Sequence, residues 1–581
     1  NSNSNSNSNN SKRKQRKRAL FRFAACFLES DRCLWVIFLG LSLVVLVSIL
    51  LVPFAALESN IRNNNQNAPL LFPDRNHQSV LEKRESPPAV ADSDADYSSS
   101  VVNSEEDEKD HEKDLERDKG RAKDGSNPSR DNNTTTNTEP SYFRTHSSKY
   151  HTIFSTGCSI FQDWQSYVFF YHVYRSGQEG HITRIASGCK NGDEETKIRA
   201  MFEREILSIR SSKGGNQSGN QSGNQIDRKG DSDNQQQQQH LDHLHLTPDY
   251  SRIPKKVKKP FKYFNKPYGV RHWMEHALGY PNNHELHDDS IIILMDPDQI
   301  MLRPFTNDFS NSSEIWRLSN PDRRKTIVEH GSPFSQQYGY HTQWKRKADP
   351  DYVFRGKRSP TSVKNMKQKE ASDYYAGMGP PYIATAKDMW SIVNTWADIV
   401  PLVHDEYPYL LAEMFAYNLA VAHLGLRHTI AHSFMVSDPW SGGEGWPLID
   451  AVPKENICQG FPKDELPHVI HYCQKYYFGK WFIGKYMLRK DFISCEAPLL
   501  KHPPADLALL YNNTAFLPGQ SQVMELKPKQ AKEYAFMVCA MIEALNAAAI
   551  FYKDQHCKDG SGNYDYTYVF HEDMRMPNET P

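Results

Sequence analysis

Two carboxylates stand two positions apart directly after a run of apolar residues, and this arrangement suits metal chemistry. Residues 291–295 read IIILM, which predicts a buried strand, and Asp296 and Asp298 follow in the tripeptide Asp-Pro-Asp. Carboxylates are hard ligands for Mg²⁺ or Mn²⁺, and such a cation neutralises charge on a departing diphosphate. Asp-Pro-Asp is also common in the turn that ends a strand, so a purely structural turn is the alternative.

The distribution of charge along the chain predicts a membrane anchor. The formal net charge of −1 over 581 residues gives no reason to expect a nucleic-acid partner. A basic cluster at residues 12–18 precedes an uncharged apolar run at residues 33–57, which is long enough to cross a bilayer as a helix. A cleavable signal peptide is the alternative, although its apolar region would be shorter. The positive-inside rule then predicts a cytosolic tail (1–32), a single span and a luminal remainder.

The luminal part divides by composition. Residues 58–146 are charged and polar, which predicts a disordered stem. The folded domain is predicted at 147–500, with a disordered low-complexity insertion at about 211–245, followed by a C-terminal helical extension at 501–581. The predicted luminal part contains seven cysteines, and an oxidising lumen favours disulfides among them. Because seven is an odd number, at least one cysteine is left outside any bridge within the chain. These seven are Cys158, Cys189, Cys458, Cys473, Cys495, Cys539 and Cys557.

Strand and helix patterns alternate at the start of the folded domain. Residues 151–155 and 181–185 predict strands, and 161–174 between them predicts a helix. A strand, a helix and a strand in this order indicate an α/β fold with a mainly parallel sheet. Further predicted elements are helices starting near Tyr268 and at 386–400, 407–424 and 534–552, and a short strand at 468–472. The last of these helices is predicted to pack inside the protein rather than to form a second span.

Six blocks of the sequence carry a family resemblance. They include YFNKPYGVRHWMEH, IIILMDPDQIMLRPFTN and HVIHYCQKYYFGKWFIGKY, and they lie at 151–188, 263–276, 291–307, 380–396, 410–428 and 468–486. Together they resemble the hydroxyproline O-arabinosyltransferases, with the peptidyl serine α-galactosyltransferases as more distant relatives. The resemblance implies a GT-A type nucleotide-sugar-binding fold and a Golgi enzyme with type II membrane topology.

The same resemblance implies a set of metal ligands. Asp296 and Asp298 match the acidic-Pro-Asp motif of the family, which often has Glu first and His after the motif. This chain has Gln299 in that last place, a change that could alter the sugar pocket. His471 matches the closing histidine of the family and is predicted as a third ligand, with His468 as its rival. An imidazole beside two carboxylates favours Mn²⁺ over Mg²⁺.

The remaining candidate residues concern the donor and the acceptor. We predict that Glu413 orients the acceptor or stabilises an oxocarbenium-like transition state, with a salt bridge on the helix surface as the alternative. Candidates for binding the nucleotide-sugar are His151, Thr152, Lys266, Lys480 and Lys485, with Arg271 as a further possibility. For Lys266, Lys480, Lys485 and Arg271 a solvated surface position is the alternative, and His151 and Thr152 are candidates only because of their place in the first strand. A second metal site at His240, His243 and His245 is disfavoured, because they adjoin a glutamine tract in a predicted loop.

The predicted function is that of an Mn²⁺- or Mg²⁺-dependent glycosyltransferase. It would move a sugar from a UDP-sugar to a hydroxyl of a secreted or cell-surface protein, with retention of anomeric configuration. The resemblance implies L-arabinofuranose as the sugar and peptidyl hydroxyproline as the acceptor. The alternatives are an enzyme like the peptidyl serine galactosyltransferases, or a catalytically silent Golgi scaffold. A metal-dependent hydrolase would need a second cluster of ligands or a general base close to the metal, which the Asp-Pro-Asp block lacks.

Overall fold

A seven-stranded mixed sheet is the centre of the described structure. The computed structural model describes residues 148–211, 241–253, 260–355, 363–459, 465–516 and 523–567. The predicted cytosolic tail, membrane anchor and stem lie outside these residues, as do residues 212–240 of the predicted insertion. The strands are β1 (Tyr150–Gly157), β2 (His181–Ser187), β3 (Asp242–Thr247), β4 (Ile291–Met295), β5 (Gln299–Met301), β6 (Phe334–Gln337), β7 (Met378–Thr385), β8 (Thr429–Ala431), β9 (Met435–Val436), β10 (Val469–His471), β11 (Lys475–Phe478), β12 (Trp481–Gly484), β13 (Leu499–Leu500), β14 (Thr514–Phe516), β15 (Val523–Glu525) and β16 (Tyr566–Thr567).

The strand order of the large sheet is β3-β2-β1-β4-β7-β6-β8. Strands β3, β2, β1 and β4 run parallel, whereas β7 is antiparallel to both β4 and β6. The predicted mainly parallel α/β sheet is therefore confirmed, with β7 as an antiparallel strand next to the central strand β4. The chain moves outward from β1 to β3 and then returns to β4 on the other side of β1. This reversal makes the crevice between β1 and β4 a topological switch point, where open α/β sheets bind their ligands.

Helices cover both faces of the sheet. They are α1 (Ile160–Ser176), α2 (Gly192–Met201), α3 (Ser208–Ser211), α4 (Asn265–His276), α5 (Trp344–Lys347), α6 (Pro350–Val353), α7 (Gln368–Tyr374), α8 (Ala386–Glu406), α9 (Ala412–Leu424), α10 (Trp446–Asp450), α11 (Leu507–Leu510) and α12 (Pro528–His556). One apolar core lies under α1 and α12, and a second lies under α4, α8 and α9. The two cores hold the sheet rigidly between them.

Three predicted helix boundaries were wrong by a few residues. Helix α4 begins at Asn265 rather than near Tyr268, because Pro267 is tolerated in the first turn of a helix. Helix α8 continues past Val400 to Glu406, and burial of Leu402 and Val403 accompanies this extension through Pro401. Helix α9 begins at Ala412 and not at residue 407.

Most of the sequence HLDHLHL lies in an edge strand and not in the predicted loop. Five of its residues, 242–246, belong to β3, which pairs in parallel with β2 along its length. Burial of Leu244 anchors this strand on the core. His243 Nε2 lies 3.0 Å from Nδ1 of His181 in the neighbouring strand β2, and His245 Nε2 lies 2.9 Å from Nδ1 of His272 in α4.

The C-terminal segment is part of the folded domain. Helix α12 packs on α1 and β11, and it is the one helix among the described residues long and apolar enough to cross a membrane. The structure buries 72% of its most apolar window, as expected for the predicted packed helix. Disulfides Cys458–Cys539 and Cys495–Cys557 tie α12 to the preceding chain, and Cys158–Cys189 joins the loops after β1 and β2. Of the cysteines that the structure describes, Cys473 is the one outside these bridges.

The buried histidines between β3 and α4 make stability depend on pH. Burial, together with neighbouring histidines, lowers the pKa of His245 to about 3 and that of His272 to about 4. In the unfolded chain histidine titrates near 6.5, so below that pH the unfolded state binds more protons and the free energy of unfolding falls. We expect the pair to contribute a loss of about 1–2 kcal/mol between pH 7.5 and pH 5, allowing for the exposure of His272. Urea unfolding at both pH values measures this loss.

The double variant His245→Gln/His272→Gln should lose less stability over the same interval, whereas the exposed control His330→Gln should behave like wild type. An equal pH dependence in the double variant and wild type would contradict this account.

Candidate metal centre

The carboxylates of the Asp-Pro-Asp tripeptide stand at the carboxyl end of the central strand β4. All five residues of β4 are buried, and the strand lies between β1 and β7. Gln299 braces the turn that follows: its Oε1 accepts a hydrogen bond from Asp296 N at 3.0 Å, and its Nε2 donates to Pro380 O at 3.1 Å. Gln299 is fully buried, so its part is to hold the carboxylates in place. The Asp-Pro-Asp backbone therefore does form a turn that ends the strand, as the structural alternative predicted. The side chains of Asp296 and Asp298 are nevertheless available as ligands.

The pairing of β5 with β10 places His471 next to these carboxylates. After the turn the chain forms β5, which pairs antiparallel with β10 so that Gln299 lies opposite His471. Tyr472 N also donates to Asp298 O at 3.0 Å, which fixes the end of β10 beside the turn. As a result, ligand atoms of Asp296, Asp298 and His471 all lie within 4.8 Å of one another. Within the described ranges this is the one group of three or more such side chains that converges in this way.

The donor set fits a divalent cation. Two carboxylates and one imidazole suit Mn²⁺, which accepts nitrogen more readily than Mg²⁺ does. The Tyr338 hydroxyl donates to Pro380 O at 2.9 Å, so its oxygen can accept the Nδ1–H of His471, 3.4 Å away. With Nδ1 protonated, release of the proton from Nε2, which lies 3.3 Å from Asp298 Oδ1, leaves the Nε2 lone pair of His471 for a cation.

Two lysines compensate the charge of the carboxylates. Lys266 Nζ lies 2.7 Å from Asp296 Oδ1, and Lys485 Nζ lies 2.6 Å from Asp298 Oδ2. Burial alone would raise the pKa of Asp298, but Lys485 and His471 outweigh it and hold that pKa well below its usual range. Asp298 is therefore ionised at any physiological pH, which a metal ligand requires.

Glu413 lies beside Lys266, which also pairs with Asp296. Its Oε1 is 3.5 Å from Lys266 Nζ, and the residue is 3% exposed in the first turn of α9. Burial raises the pKa of Glu413 to about 7, although Lys266 opposes the shift. The alternative of a solvent-exposed salt bridge on the helix is wrong, because the carboxylate is enclosed next to the metal ligands.

Three residues predicted to bind the nucleotide-sugar lie away from this centre. The centre is at the carboxyl ends of β1 and β4, whereas His151 and Thr152 are near the amino end of β1. The His151 ring stacks on His181 at 5.1 Å in the interior. Lys480 lies at the tip of the hairpin of β11 and β12, and Lys485 follows its base. The prediction placed these three by chain position alone, which does not show which end of an element carries the site.

The other candidates also have structural partners elsewhere. His468 Nε2 lies 3.0 Å from Glu314 Oε1 in a buried network, so His468 is not the ligand. Arg271 NH1 pairs with Asp398 at 3.3 Å on the surface. The histidines of β3 do not converge on a common point with a third ligand, and His240 lies outside the described residues.

Two residues were missed in the sequence, Tyr338 and Arg184. Tyr338 reaches His471 only through the sheet, and no spacing links them. Arg184 is fully buried in the middle of β2, where it donates to Thr156 Oγ1 at 2.9 Å and pairs with Asp163 at 2.8 Å. A charged residue inside an apolar strand pattern is the feature that could have identified Arg184.

Comparison with known proteins gives a distant relationship. No family model matches the chain. The chain is 23% identical over 367 residues to a peptidyl serine alpha-galactosyltransferase of Arabidopsis thaliana, which covers 61% of this chain and 34% of that protein. The chain thus spans about a third of the length of the relative it matches. A solved structure, a WbbM bifunctional glycosyltransferase in its apo form, covers 56% of this chain and 46% of its own, with 8% identity. Its TM-score of 0.27 carries no argument about the fold.

The centre predicts one Mn²⁺ site with defined ligands. Asp298→Asn removes a buried ligand charge and should weaken Mn²⁺ binding about 100-fold, and His471→Ala should weaken it by a smaller factor. Lys485→Gln is the matched control: it keeps all three ligands and removes a competing cation, so Mn²⁺ should bind at least as tightly as in wild type. Titration calorimetry with Mn²⁺ alone measures these affinities. Equal affinity in Asp298→Asn and wild type would show that the ion binds elsewhere.

Proposed function

We propose that this protein is a metal-dependent glycosyltransferase that moves a sugar from a nucleoside diphosphate sugar to a protein hydroxyl. The observation that carries the proposal is the convergence of Asp296, Asp298 and His471, with Lys266 and Lys485 beside the two carboxylates, at the β1–β4 switch point. The distant similarity to a peptidyl serine alpha-galactosyltransferase supports the same reaction class. A silent scaffold would have no need to keep three converging ligands and their charge compensation.

Each side chain of the site has its own role in the proposed sugar transfer. A divalent cation bound here would neutralise the charge that develops on the departing diphosphate. Lys266 and Lys485 stand next to the ligand carboxylates, where their ammonium groups can also pair with diphosphate oxygens. Tyr338 holds the His471 ring in orientation. The Glu413 carboxylate stabilises the positive charge that develops on the sugar ring as its bond to the diphosphate breaks.

Within this class we propose a UDP-sugar donor, Mn²⁺ as the metal and retention at the anomeric carbon. L-Arabinofuranose and peptidyl hydroxyproline are the substrates implied by the resemblance. Galactose transfer to serine is the second candidate, and the similarity to a peptidyl serine alpha-galactosyltransferase favours it. A Golgi membrane location with the catalytic domain in the lumen accords with the three disulfides, which form in oxidising compartments.

The direct test is release of UDP by the detergent-solubilised full chain. We expect UDP release from one member of a UDP-sugar panel with Mn²⁺ and a mixture of hydroxyproline-rich and serine-rich peptides. EDTA should abolish the release and Mn²⁺ should restore it, while Asp298→Asn should remain inactive at saturating Mn²⁺. Absence of release with every donor would refute the proposed function, and full activity in EDTA would refute its metal dependence.

A separate experiment tests the role of Glu413. The isosteric Glu413→Gln removes the charge but not the shape, so kcat should fall by about 10²–10³-fold. Mn²⁺ affinity should change little, because the three ligands remain. The control Glu275→Gln changes a carboxylate on the surface of α4 and should keep wild-type kcat. A wild-type kcat in Glu413→Gln would remove this residue from the mechanism.

A further inference from the structure

The loop that follows β9 begins beside the strand that carries the candidate ligand His471. Strands β9 and β10 are parallel, with Val436 opposite Ile470, so Ser437 and His471 leave their strands at the same edge. The switch point between β1 and β4 is where a nucleotide binds in such sheets. The acceptor has to reach the sugar from outside this crevice. Residues 437–445, which we term the 437–445 loop, follow β9 and lie outside it.

The loop packs against the residues that contact the metal ligands. An added Cβ on Gly443, whose φ is +82°, would lie 2.3 Å from Gln337 Nε2. Gln337 ends β6 and immediately precedes Tyr338, whose hydroxyl is 3.4 Å from His471 Nδ1. The 437–445 loop is thus in direct contact with the end of β6, one residue from the side chain that orients the ligand histidine.

Hydrogen bonds fix the loop in one shape. The buried carboxylate of Glu444 accepts from Ser437 N at 2.6 Å and from Ser437 Oγ at 2.5 Å, which closes the loop at its base. Asp438 accepts from Trp440 N at 3.0 Å through Oδ1 and from Trp446 Nε1 at 3.1 Å through its carbonyl. A loop held in this way presents its tip as a rigid surface.

Trp440 at the tip is exposed although its polar atom is already bonded. The side chain is 48% exposed, and its Nε1–H donates to Tyr534 Oη at 2.8 Å. Tyr534 in turn stacks on Tyr477 with ring centroids 4.6 Å apart. The part of the indole that faces solvent is therefore aromatic carbon, positioned from behind by two tyrosines.

The charge of the 437–445 loop argues against its binding the diphosphate of the donor. The sequence SDPWSGGEG contains two carboxylates and neither lysine nor arginine, so it is unsuited to a diphosphate. The lysines that suit a diphosphate, Lys266 and Lys485, belong to other elements. An indole face is electron-rich and attracts the weakly positive C–H groups of a saturated ring.

We propose that the 437–445 loop is an acceptor subsite in which Trp440 is the platform for a saturated ring of the acceptor. The ring is the pyrrolidine of a prolyl-type residue or a sugar already attached to the acceptor, since both present the same C–H face. The proposal rests on the proposed function, and it names the part of the site that selects the acceptor. Trp440 is a binding residue that does not touch the reacting atoms.

The test compares three acceptor peptides with the full-length enzyme. One peptide carries 4-hydroxyproline, one carries glycosylated serine, and one carries serine alone. Trp440→Ala should raise the KM of the ring-bearing peptide that is turned over by at least 10-fold, with the KM for the UDP-sugar within 2-fold of wild type. Trp440→Phe keeps an aromatic face and should restore most of the acceptor affinity. Whichever ring-bearing peptide shows the effect identifies the source of the ring.

The matched control is Tyr352→Ala, which removes a similarly exposed aromatic side chain from α6, and it should leave both KM values unchanged. The thermal midpoint of Trp440→Ala should equal that of wild type, which separates lost binding from misfolding. Equal acceptor KM in Trp440→Ala and wild type would overturn the subsite, as would an equal loss with the serine-only peptide.

Binding of the same peptides by fluorescence anisotropy gives this comparison without turnover. A wild-type enzyme that releases no UDP from any donor contradicts the proposed function. Weaker binding of a ring-bearing peptide by Trp440→Ala supports the subsite even then, and unchanged binding of all three peptides overturns it.

Discussion

Antiparallel pairing of β5 with β10 is the interaction on which the candidate site depends. It places His471 opposite Gln299 and therefore beside Asp298, although the two segments are far apart in the chain. The register leaves little freedom, because a slip by one residue would turn the His471 side chain to the other face. Gln299 serves both sides of this arrangement, since it pairs with β10 and braces the turn that carries Asp296. Strand β10 also pairs with β9, and this pairing positions the start of the loop that carries Trp440.

Burial of several charges at one point is the second constraint on the site. Asp298 and Glu413 are nearly inaccessible, and unpaired carboxylates in such surroundings cost several kcal/mol each. Lys266 and Lys485 supply the compensating charge and are drawn from two different parts of the fold. A buried cluster of this kind is weak evidence for stability but strong evidence for a site that binds charged groups. The lysines bring positive charge to a centre where a diphosphate would be held.

Local pattern predicted the elements better than it predicted the site. The strand before Asp296 was found from its apolar run, and the β1–α1–β2 order indicated a parallel sheet, because both signals lie within a few adjacent residues. His471 came from a resemblance, and nothing in its own neighbourhood distinguishes it from His468. His151 and Lys480 were misplaced because position along the chain does not reveal which end of a strand or hairpin faces the centre. Tyr338 and Trp440 become visible only when the sheet brings separate loops together.

The measurement that tests the central claim most directly is pulsed electron paramagnetic resonance of Mn²⁺ bound to the full chain, with and without a UDP-sugar. The account predicts a ¹⁴N coupling from one imidazole that disappears in His471→Ala, and ³¹P couplings that appear when the UDP-sugar is added. These signals would place the metal between the protein ligands and the diphosphate. A spectrum without a directly bound imidazole, or without any ³¹P coupling at saturating UDP-sugar, would contradict the account.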